Sequence, residues 1–196
     1  MILCILGVLI WLLFYGSYFF KMYRQKKHGI LADRMGWGAK RASTLKLEKW
    51  LRVITYLTGL VQILGIALSS FYPLLISSPT VRLMGCAAAL VGTGILIASM
   101  VSMKTSWRVG VDMIQDSSLV TTGIYRHSRN PAFLGFDIFY IGFALSFCSI
   151  ELCVLSLAAI LLLHVQILQE ESYLPDLFGK EYEEYKKRTP RYFWIF

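Results

Sequence analysis

The sequence contains 196 residues, of which 56% are hydrophobic and 16% are charged, and its formal net charge is +8 at pH 7. A soluble domain carries about a quarter charged residues, and the apolar residues here form long uncharged runs rather than spaced, one-sided patterns. This composition excludes an ordinary water-soluble globular protein. It predicts an all-α integral membrane protein, because open strands cannot satisfy their backbone hydrogen bonds in lipid.

Five apolar runs are each close to the roughly 20 residues that a helix needs to cross the hydrocarbon core. In chain order they are Met1 to Phe20, Val53 to about Ile76, Leu83 to Met103, Pro131 to Ile150 and Leu152 to Gln169. The last two runs are separated by little more than Glu151, so we expect them to form a tight antiparallel hairpin. The sequence therefore predicts five transmembrane helices.

The basic residues are distributed unevenly along the chain. Nineteen of the twenty Lys and Arg lie in residues 21–52, 104–129 and 180–191, and the remaining one is Arg82. With five spans these segments share one face, and Lys and Arg near spans are retained on the cytoplasmic side. We expect an external amino terminus, a cytoplasmic carboxyl terminus and contact with anionic lipid headgroups, not nucleic acid. Residues 21–52 are predicted to be a basic linker at the bilayer surface.

The loop before the fourth run carries several structural signals. Gly123 permits a turn, Pro131 suits the first turn of a helix, and Asn130 is placed to cap that helix. The loop also carries three basic side chains to the membrane surface: Arg126, His127 and Arg129. From the residues alone, this segment is either a functional loop or a snorkelling basic flank with a helix cap.

A second polar cluster lies where the fifth run leaves the membrane. Gln166 and Glu170 share one helix face by their spacing, and His164 and Glu171 share a neighbouring face. Carboxylates at membrane depth are costly and are usually paired or functional. Because the hairpin returns Glu170 to the level of Arg129, either a structural ion pair between these two residues or a functional site accounts for the cluster.

The sequence contains no recognisable metal or redox motif. Its four cysteines lie in or at the ends of apolar runs, without CxxC or CxxH spacing. His127, His164 and Glu171 are conceivable metal ligands, but they lack a signature spacing. We therefore expect no metal in the site.

The chain becomes amphipathic after Pro175. Phe178, Tyr182 and Tyr185 fall at positions i, i+4 and i+7, and Pro190 would end such a helix. This pattern predicts a helix that lies at the interface or folds over the polar clusters as a lid.

Together these motifs resemble the isoprenylcysteine carboxyl methyltransferase family and, more broadly, the phospholipid methyltransferase-like membrane enzymes. The similarity covers about residues 104–193, through Leu119 to Gly135, Gln169-Glu170-Glu171 and Phe178 to Pro190. The length and five-helix layout most resemble a compact prokaryotic or archaeal member. We expect residues 1–103 to form a three-helix membrane region with the basic linker, and residues 104–196 to form the catalytic region.

The resemblance implies S-adenosylmethionine-dependent O-methylation of the carboxylate of a prenylcysteine-like substrate, with S-adenosylhomocysteine as the product. The cofactor site would be cytoplasmic, closed by the 104–130 loop and the carboxyl-terminal amphipathic helix, and the lipophilic substrate would enter from the bilayer. The candidate cofactor residues are Leu119, Val120, Gly123, Tyr125, His127, Asn130, Pro131, Ala132, Phe133, Glu170 and Glu171. Arg129 and Glu170 are the candidate catalytic residues, and Arg129 and Gln166 are the candidate substrate residues.

Three departures from the family pattern affect the expected chemistry. Asn130 stands where the family usually has His, and Phe133 stands where it usually has Tyr, which changes the hydrogen bonding of the cofactor loop. Gln166 replaces an arginine thought to hold the substrate carboxylate in the eukaryotic enzymes. A second hypothesis is therefore that the protein is a methyltransferase acting on a phospholipid or another small lipophile. A nicotinamide-dependent membrane reductase of the sterol reductase type is a third, although that family is longer and has more spans.

The sequence also suggests a route for the lipid tail. Because the tail must reach a polar site without leaving the bilayer, we expect a lateral opening between spans. Small residues of the fourth run are candidates for its lining: Gly135, Gly142 and Ala144. The pattern indicates no oligomeric state.

Overall fold

The computed structural model describes residues 1–38, 40–69, 74–110 and 118–193. Within these ranges the chain forms five α-helices: α1 (Ile2–Lys27), α2 (Ala42–Leu68), α3 (Pro79–Met103), α4 (Pro131–Ser146) and α5 (Ile150–Arg188). The other described elements are two 3₁₀ turns, Lys104–Ser106 and Gly123–Arg126, and a single bridge between Asp33 and Val109. The all-α prediction is confirmed for this part of the chain.

Four of the described helices are long and apolar enough to cross a membrane, namely α1, α2, α3 with the turn that follows it, and α5. By contrast α4 has 16 residues, which gives a length of about 24 Å, below the roughly 30 Å of the hydrocarbon core. The predicted fourth run ended at Ile150, but the helix ends at Ser146. The described ranges therefore contain four long apolar helices and a fifth, shorter one.

The second helix begins earlier than its apolar run. Thr44, Glu48 and Leu51 are buried and lie at positions i, i+4 and i+7, so the segment before Val53 is amphipathic and continues the helix. At the other end α2 stops at Leu68, whereas the predicted run extended to about Ile76, and residues 70–73 of that run lie outside the described residues. Part of the basic linker is thus helix packed against the protein.

Glycines allow α3 and α4 to pack with their backbones in contact. A Cβ atom added at Gly92 would lie 2.6 Å from the carbonyl oxygen of Gly135, and one added at Gly142 would lie 2.4 Å from the amide nitrogen of Ala89. Such distances leave no room for a side chain, so close approach of the two helices requires glycine. The expectation that Gly135, Gly142 and Ala144 line a lateral opening is wrong for the two glycines, because both face α3. Ala144 packs against the hydrophobic core.

The predicted hairpin is present, since only residues 147–149 separate α4 from α5. The Ser149 side chain accepts a hydrogen bond from the amide of Leu152 and so caps α5. This helix then continues for 39 residues through Pro175, with a non-helical backbone at Gly179, where φ is 54°. This kink at Gly179 divides α5 into two helical parts, and the second part is the predicted amphipathic segment, which stops at Arg188, just before Pro190.

The three basic segments meet at one end of the helices. The Lys21 ammonium donates to the carbonyl of Lys104 at 2.7 Å, and the Gln25 amide donates to the carbonyl of Trp107 at 2.7 Å. The Ser128 hydroxyl donates to the carbonyl of Arg191 at 2.9 Å. These contacts place residues of all three segments at one end of the bundle, as the distribution of Lys and Arg predicts.

Candidate functional site

A cavity of about 280 Å³ opens at the end of the helices where the basic segments meet. Ten of the thirteen candidate residues line it: Leu119, Val120, Tyr125, Arg129, Asn130, Ala132, Phe133, Gln166, Glu170 and Glu171. The other three lie outside its lining: Gly123 begins a 3₁₀ turn with φ of 64°, His127 is exposed, and Pro131 is the buried first residue of α4. The fold thus brings most of both polar clusters to one space.

Glu171 is the centre of the charged end of the cavity. Its carboxylate accepts from Arg129 Nε at 3.2 Å, from Asn130 Nδ2 at 2.9 Å and from Arg191 Nη2 at 2.9 Å. The side chains of Arg129 and Glu171 are only 4% and 6% exposed. Charge-assisted hydrogen bonds in such a buried position are strong and hold their partners in one geometry.

This arrangement corrects two expectations from the sequence. The structural ion pair considered for Arg129 is made with Glu171, not with Glu170. Asn130 occupies the position before α4, but its side chain makes no capping hydrogen bond to that helix. Its Nδ2 donates to Glu171 instead, so the buried carboxylate, and not the helix end, determines the orientation of the side-chain amide.

Arg129 also holds the chain that follows α5. Its amide donates to the carbonyl of Pro190 at 2.9 Å, and Nη1 donates to the carbonyls of Lys186, at 3.1 Å, and Thr189. Tyr185 donates from its hydroxyl to the carbonyl of Tyr125 at 2.6 Å. The end of α5 is therefore fastened to the loop before α4 by hydrogen bonds to the backbone.

Glu170 belongs to a different wall of the cavity. The Gln166 amide donates to Glu170 Oε1 at 2.9 Å, one turn along the same helix. The oxygen of the same Gln166 amide is buried and has no hydrogen-bond partner among the described residues, and neither has the hydroxyl of Tyr182. Both residues line the cavity. The wall therefore offers polar atoms that a bound molecule would satisfy.

The loop tyrosine, Tyr125, is buried and uncharged. Loss of water contact raises the pKa of Tyr125 well above its ordinary value, with smaller contributions from Tyr185 and Glu170. A phenol is already neutral at physiological pH, and the raised pKa keeps Tyr125 neutral at more alkaline pH as well. An uncharged aromatic face is thus presented to the cavity.

The basic linker contributes a wall that the sequence did not predict. Residues Asp33, Met35 and Arg52 line the cavity, and the backbone of the linker is hydrogen-bonded to Val109 through Ala32 and Arg34 at 2.9 and 2.8 Å. The prediction of a basic linker at the bilayer surface did not include this contact with the cavity. Two acids in an otherwise basic segment, Asp33 and Glu48, were the available signal.

Glu48 explains why the linker folds inward. Its side chain is fully buried and accepts from Lys40 Nζ at 2.8 Å, and Lys40 is only 4% exposed. The carboxylate also accepts from the amide of Gly36 at 2.6 Å. Because a buried charge requires such partners, this ion pair holds the linker against the amino-terminal end of α2.

The cavity continues into an apolar lobe between α1, α2 and α4. Aromatic side chains dominate the lining of this lobe: Tyr15, Tyr18, Phe19, Tyr56, Phe136 and Tyr140. Phe19 and Tyr56 are 50% and 61% exposed on the outer surface of the helices. The lobe therefore extends from the charged end to the apolar outside of the bundle.

The conceivable metal ligands are not gathered in the structure. His164 Nδ1 lies 2.8 Å from the hydroxyl of Tyr192, whereas His127 is exposed and Glu171 is bound to two arginines. Among the described residues there is no group of three or more His, Cys, Asp or Glu side chains suited to holding a metal ion.

The geometry defines a helical membrane protein in which one cavity joins a charged end to an aromatic lobe. Comparison with known sequences gives its family. The family described as phospholipid methyltransferase matches residues 80–181, more than half of the chain. The chain belongs to this family, and its predicted similarity to isoprenylcysteine methyltransferases is confirmed by curated relatives of that name.

Several curated proteins are similar over part of their length. The protein-S-isoprenylcysteine O-methyltransferase of Schizosaccharomyces pombe is 35% identical over 77 residues, which are 39% of this chain and 33% of that protein. Protein-S-isoprenylcysteine O-methyltransferase B of Arabidopsis thaliana is 34% identical over 74 residues, 37% of each chain. The Homo sapiens protein is 36% identical over 75 residues, 37% of this chain and 26% of that protein. The matches thus cover about a third of these relatives.

Proposed function

We propose that this protein is an S-adenosylmethionine-dependent methyltransferase that methylates the carboxylate of a prenylcysteine-like lipophile at the cytoplasmic membrane face. One observation carries the proposal: a single cavity joins a charged, loop-covered end to an aromatic lobe that reaches the lipid-facing surface. A water-soluble cofactor and a lipid-borne acceptor need access to the same point from opposite sides. The names of the relatives supply the class of reaction.

The residues of the charged end fit the proposed cofactor. The orphaned oxygens of Gln166 and Tyr182 are buried acceptors or donors for amino and hydroxyl groups, and the Glu170 carboxylate is a suitable partner for an ammonium group. The faces of Tyr125 and Phe133 suit a sulfonium through cation–π contact. When bound, S-adenosylmethionine supplies a methyl group that is already activated by its positive sulfur.

Arg129 is proposed to orient the acceptor. Its hydrogen bonds use Nε, both N–H groups of Nη1 and one of Nη2, which leaves one N–H group of Nη2 for a ligand in the cavity. Glu171 and the backbone carbonyls fix the guanidinium plane, so Arg129 is held before any substrate arrives. A prenylcysteine carboxylate is ionised at neutral pH, and no residue has to remove a proton from it.

The aromatic lobe is proposed to hold the hydrocarbon tail. A tail lying between α1 and α2 would remain in contact with the bilayer while its polar end reaches the charged residues. Closure of the cavity by the linker and by the end of α5 would exclude water from the reacting atoms. Residues 104–196 would supply most of the cofactor site, and residues 1–103 would supply the lipid lobe and the linker wall.

Orientation in the membrane follows from the basic segments. They gather at the end of the bundle that contains the cavity, and positive segments are retained in the cytoplasm. We therefore propose a cytoplasmic site and carboxyl terminus and an external amino terminus.

A phospholipid acceptor is the second candidate function. The family that matches residues 80–181 is described as phospholipid methyltransferase, and Gln166 places a neutral amide where the eukaryotic prenylcysteine enzymes carry an arginine. An amine acceptor would need a base to take its proton, and the Glu170 carboxylate lines the cavity at a suitable place.

Binding and transfer measurements test the proposal. Isothermal titration of the purified protein with S-adenosylhomocysteine should give micromolar affinity. Methyl-labelled cofactor should then label a prenylcysteine carboxylate in preference to a phosphatidylethanolamine. Absence of S-adenosylhomocysteine binding would refute the proposed cofactor, and preferential labelling of the phospholipid would establish the second function in place of the first.

A further inference from the structure

Arg52 is a charged residue of the cavity that the proposed reaction does not use. It lies on α2 and donates from Nη2 to Asp33 Oδ1 at 2.8 Å, to Asp33 Oδ2 at 3.0 Å and to the carbonyl of Met35 at 2.8 Å. All of these hydrogen bonds use one nitrogen. Nε and Nη1 donate to no other group among the described residues, and the side chain is 33% exposed. Three N–H groups of a fixed guanidinium therefore remain for a ligand.

The position of Arg52 in the cavity is equally specific. Thr55 and Tyr56, about one turn further along α2, line the apolar lobe, while Asp33 and Met35 line the linker wall beside it. Arg52 is consequently a cation at the junction between the charged end and the lobe. An amphiphile whose tail fills the lobe would have its polar group at this junction.

The chemistry at position 166 makes a second cation useful. Gln166 is neutral and is already bound to Glu170, and Arg129 has a single N–H group to spare. Two anionic oxygens in a partly desolvated cavity need more donors than that. Arg52 has those donors, and its anchoring by Asp33 reduces the ordering that a ligand would otherwise impose on a long side chain.

We infer that Arg52 determines acceptor specificity by binding the anionic group of a lipophile whose hydrocarbon tail lies in the aromatic lobe. The inference rests on the proposed function for the site, but not on the identity of the cofactor. The ligand class is an amphiphile with one carboxylate or phosphate at the end of a hydrocarbon tail. Asp33 is a positioning residue, because it binds only Nη2 of Arg52 and leaves Nε and Nη1 for the ligand.

The test compares binding of charged and neutral forms of one ligand in the absence of cofactor. N-acetyl-S-farnesylcysteine and its carboxamide are titrated into the full-length protein in detergent. The wild type should bind the carboxylate at least tenfold more tightly than the carboxamide. Arg52→Gln should lower the affinity for the carboxylate at least tenfold and leave the carboxamide unchanged. Lys46→Gln removes the same charge from an exposed position of α2 and should change neither.

A second variant separates ligand binding from a structural role. Asp33→Asn breaks the same ion pair as Arg52→Gln but keeps the cation in the cavity. If Arg52 binds the ligand, Asp33→Asn should lower the affinity for the carboxylate by clearly less than Arg52→Gln does, because the cation stays in the cavity and loses only its anchor. Equal loss in Asp33→Asn and Arg52→Gln would overturn the inference, because the ion pair would then only hold the linker to α2. Equal binding of carboxylate and carboxamide by the wild type would also overturn it.

Two further arms identify the source of the anion and isolate the proposed function. Lysophosphatidic acid of similar tail length is titrated in the same way, and stronger Arg52-dependent binding of this phosphate supports the inference with a phospholipid as acceptor. S-adenosylhomocysteine binding is measured separately for each variant and should be unchanged in Arg52→Gln. If the wild type does not bind S-adenosylhomocysteine, the proposed cofactor is refuted. The preference for the carboxylate over the carboxamide would still test the role of Arg52.

Discussion

Replacement of Glu171 by glutamine tests the charged centre of the site. Glu171→Gln keeps the size of the side chain and one acceptor oxygen, but it leaves Arg129 and Arg191 without their carboxylate. Arg129 is 4% exposed and Arg191 is 25% exposed, so water can replace the lost partner for the second arginine only. Breaking a buried ion pair costs about 3–5 kcal/mol of stability. Because glutamine retains one acceptor oxygen, we expect the free energy of unfolding to fall by an amount at the lower end of this range, about 3 kcal/mol. For a chain of this length that corresponds to a fall of roughly 6–12 °C in the unfolding midpoint.

The assay is thermal unfolding in one detergent at one scan rate, followed by tryptophan fluorescence. Glu184→Gln is the matched control, because Glu184 is exposed on the same helix and surface substitutions usually change stability by less than about 0.5 kcal/mol. A midpoint for Glu171→Gln within about 2 °C of the control would refute the reasoning. Glu171 would then not be the group that fastens the end of α5.

Four further outcomes are expected. Gly92→Ala should lower the unfolding midpoint by several degrees, since its Cβ would lie 2.6 Å from backbone atoms of α4. Gly94→Ala is the control: its Cβ meets open space, so this variant should keep or slightly raise the midpoint. Glu170→Gln should weaken S-adenosylhomocysteine binding about tenfold with an unchanged circular dichroism spectrum, as expected for loss of one charged contact; unchanged affinity would remove Glu170 from the cofactor site. Arg129→Lys should reduce methyl transfer to a prenylcysteine about 100-fold, because lysine keeps the charge without the planar fork, while S-adenosylhomocysteine affinity stays within about threefold; normal turnover would exclude Arg129 from the reaction. Terminal reporter fusions should be external at the amino terminus and cytoplasmic at the carboxyl terminus, and the reverse would contradict the proposed orientation.

The sequence correctly predicted the level along the helices at which the site residues meet, but it did not predict which side chains contact each other. Apolar runs and basic flanks indicate where a helix leaves the membrane, and this was enough to bring Arg129 to the level of the two glutamates. Adjacent helix positions differ by about 100° of rotation, however, and the rotation of α5 depends on packing against other helices. That is why Glu171, and not Glu170, is the carboxylate bound to Arg129.

Local sequence patterns could not predict the fold of the basic linker, for a different reason. Its inward path depends on a buried ion pair between Lys40 and Glu48 and on backbone hydrogen bonds to Val109. The hydrogen bonds to Val109 join residues far apart in sequence, and the periodicity of hydrophobic residues cannot predict such a contact. Asn130 illustrates the same limit, because the helix-capping rule is correct for its position but the distant Glu171 determines where its side chain points.

The short length of α4 has a consequence for how the protein is assembled in the membrane. A helix of 16 residues that carries Asp137 is a weak candidate for independent insertion, and its two glycines fit against the backbone of α3. Insertion of α4 should therefore require α3 to be already in the bilayer as a docking surface. Biogenesis would then proceed in chain order, with α5 completing the hairpin after the α3–α4 pair has formed.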